Sequence, residues 1–159
     1  MSNKGFTLVE CLIGLAISAM LLAAVAVAFN ASVVSYGENE DMFWALNNAR
    51  QAMTRMTSQL RTGHTVNPTP NANEVSFFTA ANEDITYEFR SAQQRLYLIK
   101  NATNQEYMLC DNVVDASFTK TMTDDGTDCK SVQISLTVQS GDTRRTLSAA
   151  AVVRRNLGS

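Results

Sequence analysis

Lys4-Gly5-Phe6-Thr7-Leu8-Val9-Glu10, followed by the apolar run Cys11 to Phe29, is the stretch on which the rest of the chain depends. One carboxylate, Glu10, heads nineteen residues that carry no other charge. A secretory signal is cut after its apolar segment, at a small-residue pair; here the small residue next to a charge, Gly5, lies before it. A cut between Gly5 and Phe6 would remove residues 1–5 as a leader and leave the apolar helix on the mature chain. About 20 apolar residues at about 1.5 Å each cross the hydrocarbon layer, so the run suffices for one span. Lys4 favours a cytoplasmic amino terminus, which sends residues 30–159 outward.

Glu10 is expensive in that setting. A carboxylate near the bilayer interior costs a few kcal/mol on insertion scales and calls for a partner. Cleavage after Gly5 would create one, the α-amino group of Phe6.

Gly5-Phe6-Thr7-Leu8-Val9-Glu10 resembles, at every position, the signal of type IV prepilins and type II secretion pseudopilins. The resemblance implies cleavage by prepilin peptidase after Gly5 and methylation of the new amino terminus at Phe6. It also implies that Glu10 pairs with Phe6 of a neighbouring subunit, which drives lateral docking of helices. The expected partners are therefore the peptidase, other pilin or pseudopilin subunits and the inner membrane. No cofactor or metal is implied, and the class is structural, not enzymatic.

The remaining 130 or so residues provide for one exported domain. With Lys4 and Glu10 set aside, twelve basic and fourteen acidic side chains remain, a balance that does not advertise nucleic-acid binding. Within the apolar run, Gly14, Ser18, Ala19, Ala23, Ala24, Ala26 and Ala28 are small enough to let helices approach closely in lipid. Cys11 reads as an apolar filler there. Many pilins carry a proline partway along this segment, whereas Val25-Ala26-Val27 has none.

A helical pattern resumes from Glu38 to Thr62. Ala45, Ala49, Ala52 and Met56, with Leu46, Met53 and Leu60, form adjoining stripes at spacings of three and four, while Arg50, Arg55 and Arg61 point elsewhere. A following sheet or a coiled-coil partner would cover that face. Gly37 predicts a bend between the two halves and Gly63 a C-terminal stop, before the loop His64 to Asn71. The segment Asn48 to Met56 resembles the helix after the anchor in J-type pseudopilins and related minor pilins.

Past the loop the period becomes strand-like, at 75–79, 85–90, 95–99, 132–138 and 143–153, with Gln139-Ser140-Gly141-Asp142 as a hairpin turn. Val132, Ile134, Leu136 and Val138 alternate and predict one buried face. The expected fold is α+β and pilin-like: a long N-terminal helix, membrane-spanning in its first half and amphipathic in its second, packed against a C-terminal antiparallel sheet.

Cys110 and Cys129 enclose eighteen residues. An exported domain meets oxidising conditions, so a disulfide is expected; it would stabilise by about 3 kcal/mol on a chain-entropy argument. The loop resembles the disulfide-bounded region near the carboxyl end of many pilins. Asp124, Asp125 and Asp128 offer oxygen ligands that suit calcium, but their spacing is not that of an EF-hand, and a solvated turn is the simpler reading. His64 has no nearby nucleophile motif, which argues against catalysis. Arg144-Arg145 and Arg154-Arg155 alternate across strand faces and read as solvated ends. Two function classes result: a cleaved minor pilin or pseudopilin that joins a membrane-rooted filament, in its initiation or tip complex, and a binding module whose exported head captures DNA or another ligand.

Overall fold

The computed structural model describes residues 7–124 and 126–153. One helix, α1 (Leu8–Thr62), is followed by seven strands: β1 (Glu74–Phe78), β2 (Asp84–Arg90), β3 (Arg95–Lys100), β4 (Gln105–Cys110), β5 (Val113–Met122), β6 (Cys129–Ser140) and β7 (Thr143–Val152). Helical hydrogen bonding runs unbroken through Gly37, because a single glycine weakens a helix by only about 1 kcal/mol and does not end it. The chain divides into two compact units, Met1–Glu40 and Asp41–Ser159.

In the first unit every described side chain is exposed, which suits a helix meant for lipid or for other helices. In the second, Met42, Ala45, Ala49, Ala52, Met53, Met56 and Leu60 are buried, with Leu46 packed partly against them. The predicted stripe is thus the face on which the sheets lie. The three alanines in that face add little volume, and the larger share comes from Phe77, Ile85, Tyr87, Leu96, Ile134 and Leu136.

The strands form two antiparallel sheets, of order β1-β2-β3-β4 and β5-β6-β7, where one was expected. β5 crosses the strand ends of the first sheet: the Phe118 N–H donates to the Ala72 carbonyl at 2.7 Å and the Val113 N–H to Gln94 at 2.9 Å. The alternation read in β6 holds, with Val132, Ile134, Leu136 and Val138 all fully buried. β6 and β7 are joined at Ser140↔Thr143, with Gly141 at φ 53°, the hairpin that the sequence predicts.

Gly63 ends the helix, but for a reason the sequence does not show. Its φ is not positive; the left-handed residue is Thr65, at φ 53°. His64 pairs with Phe78 through both main-chain groups, which draws the end of β1 against the helix terminus. A Cβ at position 63 would lie 2.7 Å from Phe77 Cδ2 and 2.8 Å from the Phe78 carbonyl oxygen. Gly63→Ala should therefore cost about 1–3 kcal/mol, read as a lower denaturant midpoint for the full chain in detergent; an unchanged midpoint would mean that β1 can retreat.

Cys110 and Cys129 are not bonded to each other, which corrects the expected disulfide. Cys110 ends β4 three residues before Val113, which pairs with Val138, while Cys129 opens β6 nine residues before Val138. Nine strand residues span about 30 Å and three span at most about 11 Å, so the two α-carbons lie more than about 10 Å apart. A disulfide tolerates about 7 Å. Instead the Cys110 Sγ lies 3.3 Å from the Asp111 carbonyl oxygen and the Cys129 Sγ 3.8 Å from Met122 Sδ, both buried.

Candidate functional site

At the head of α1, Thr7 is the N-cap. Its carbonyl accepts the first helical bond, from Cys11 N–H at 3.2 Å. The Thr7 hydroxyl accepts from the Glu10 N–H at 3.3 Å, and Glu10 reaches back: Oε2 accepts from the Thr7 N–H at 2.9 Å and from the Thr7 hydroxyl at 2.8 Å. This is a reciprocal capping box, which satisfies amide donors that the first turn would otherwise leave without partners. A negative charge there also suits the positive end of the helix dipole. The spacing Thr7-x-x-Glu10 announces such a box in the sequence, and reading Glu10 only as an assembly charge misses it.

Both Thr7 bonds fall on Oε2. Among the described residues Oε1 accepts none, and the two bonds to Thr7 orient the carboxylate. Gly5 and Phe6, the expected cleavage position and mature terminus, lie outside the described residues. Cys11 follows directly and is exposed, as are the apolar side chains Leu12, Ile13, Leu15, Ile17, Leu21, Leu22 and Val25. By length and composition α1 is the helix able to cross a membrane.

The other candidate residues are not gathered into a site. Asp128 Oδ1 accepts from the Val66 N–H at 2.9 Å and the Cys129 N–H at 2.6 Å, so it ties the turn after β5 to the loop after α1. Asp124 is exposed, with Lys130 Nζ 3.9 Å away, and Asp125 lies outside the described residues. Among the described residues no group of three or more His, Cys, Asp or Glu is placed to hold a metal. The His64 ring stacks on Phe78 with centroids 5.9 Å apart, and its buried Nδ1 has no hydrogen-bond partner among the described residues. Arg144 donates through Nε to Gln139 at 2.8 Å, and Arg145 turns to the other face of β7; Arg154 and Arg155 lie outside the described residues.

Residues 1–26 match the family model described as the prokaryotic N-terminal methylation motif. No curated protein and no solved structure gives a significant match. The motif, in front of a membrane-length helix whose second half carries antiparallel sheets, supports the class of type IV pilins and pseudopilins, substrates of prepilin peptidase that assemble with other pilins. The same two features fit anchoring in the inner membrane.

Proposed function

We propose that this chain is a minor pilin or J-type minor pseudopilin. Prepilin peptidase removes residues 1–5, the new amino terminus at Phe6 is methylated, residues 6–29 hold the subunit in the inner membrane, and residues 30–159 form its head outside the cytoplasm. The subunit then enters a type IV pilus or type II secretion pseudopilus, in the initiation or tip complex. The observation that carries this is the methylation motif placed directly on a helix whose apolar side chains from Leu8 to Val34 are all exposed.

The geometry at Glu10 supports the assembly step. Thr7 holds Oε2, and among the described residues nothing bonds to Oε1, so the carboxylate can accept a neighbour's Phe6 ammonium without giving up its cap. Uncapped rotamers of a long side chain would have to be frozen at docking, at a cost in entropy; the box freezes them beforehand.

Sequencing the mature polypeptide from producing cells tests the reading. The expected first residue is a methylated Phe6. A chain that keeps its leader, or that begins downstream of Phe29, overturns it.

A further inference from the structure

The two sheets end in the strands β1, β4, β5 and β7, and three of those edges are covered or blunted. The loop after α1 takes the outer edge of β1: the His64 and Asn67 N–H groups donate to the Phe78 and Ser76 carbonyls at 2.9 and 2.8 Å, and the Phe78 N–H returns to His64 at 3.1 Å. β5 gives the Val113 and Phe118 N–H groups to Gln94 and Ala72. β4 is six residues long, carries Glu106 in an ion pair with Arg90 and shifts register against β3 at Leu96/Tyr97, three features that discourage a further strand. β7 has none of them. It runs for ten residues without proline, acid or bulge, and its pairing with β6 is unbroken from Ser140↔Thr143 to Ser131↔Val152.

The Val153 N–H donates to the Lys130 carbonyl at 3.1 Å, which fixes the phase of the ladder. Bonding direction alternates along an antiparallel pair, so Thr143, Arg145, Leu147, Ala149 and Ala151 bond to β6, and Arg144, Thr146, Ser148, Ala150 and Val152 turn their amides and carbonyls away from it. Among the described residues no main-chain group meets them. The core is unfinished at the same edge: Leu147 and Ala149 are only partly buried, whereas their β6 partners Leu136 and Ile134 are fully so. We propose that the β7 edge is a docking site for an extended segment of a different protein, which adds a fourth strand to the β5-β6-β7 sheet. Its main chain bonds to the five outward residues, and its alternate apolar side chains complete the cover over Leu147 and Ala149. Charge selects the segment. β7 bears Arg144 and Arg145 and no acid, and Arg145 has no ion pair among the described residues, so the complementary strand is acidic near that end. A second β7 would bring no acid to either arginine.

The full chain in detergent micelles tests this, with a fluorescein-labelled octapeptide of alternating Val and Thr flanked by a Glu at each end as the probe. Fluorescence anisotropy should show saturable binding. N-methylation of one alternate set of the peptide's amides should abolish it, while methylation of the other set leaves it, because only every second amide of an added strand faces β7. Ser148→Pro removes an outward donor and spares the β6 ladder, so the variant should keep the wild-type denaturant midpoint and bind about tenfold more weakly. Arg145→Glu should weaken binding about threefold. No saturable binding, equal tolerance of both methylation patterns, or affinity indifferent to Ser148→Pro overturns the proposal; the methylated peptides decide even if that variant fails to fold. A chain that sediments as a dimer until Ser148→Pro disperses it assigns the edge to a second copy and overturns it too. Neither cleavage after Gly5 nor filament entry bears on the result, so this docking site and the proposed function stand or fall separately.

Discussion

Glu10→Ala is expected to yield a subunit that inserts, is cut after Gly5 and yet is absent from filaments. Removing one member of a desolvated ion pair costs about 3–5 kcal/mol, which lowers incorporation by about two to nearly four orders of magnitude, read by immunoblot on sheared filaments. The capping box offers a rival explanation, since alanine also removes the bonds to Thr7. Glu10→Gln distinguishes them. A glutamine at the third helical position can still accept from the Thr7 N–H and hydroxyl, so the cap survives while the charge is lost. If the charge pairs with a neighbour's amine, Glu10→Gln should fail nearly as badly as Glu10→Ala. Incorporation of the glutamine variant at the wild-type level would show that the residue acts as a helix cap alone.

The helix and the head's architecture were legible because their signals are periodic. Ala45, Ala49, Ala52, Met56 and Leu60 return at three and four, and Val132, Ile134, Leu136 and Val138 at two, so the period itself marks the buried face. β4 escaped because Gln105, Glu106, Tyr107 and Met108 are exposed on both of its faces, leaving no alternation to see. β5 escaped because its inward residues, Val113, Ala116 and Phe118, are interrupted by a bulge at 113/115 that breaks the period. The disulfide was misread for a related reason. Spacing sets the loop that a bond would close but not which ends of two strands the cysteines occupy. Thr7 and Glu10 made the opposite case: a spacing that does encode local geometry was overlooked beside a more specific motif.

The head should lose stability steeply in alkali. Burial pushes the Cys110 thiol up to about 12, with the neighbouring Asp111 carboxylate adding to the shift. Burial likewise pushes the Tyr87 phenol to about 12, against a smaller opposing effect of Arg55; its hydroxyl donates to Gln59 from the helix. Both groups resist ionisation when folded and ionise near 8.5 and 10 when unfolded, so their contribution is intact below about pH 8.5 and is lost as pH rises toward 12. The loss is about 4 kcal/mol for Cys110 and about 3 kcal/mol for Tyr87, of the order of a domain's whole stability. Burial raises Cys129 in the same sense, while burial lowers Lys120, which donates to the Thr69 and Asn71 carbonyls, and so opposes the trend. Denaturant titrations of the full chain in detergent from pH 7 to 12 should show the fall. Cys110→Ala should lower stability at pH 7, by the volume removed, yet flatten the curve above pH 9. A wild-type curve that Cys110→Ala leaves parallel would mean that no thiol titrates there, the result expected if position 110 were bonded in a disulfide after all; prior reduction would then change the wild-type curve, whereas two separate buried thiols leave it as it was.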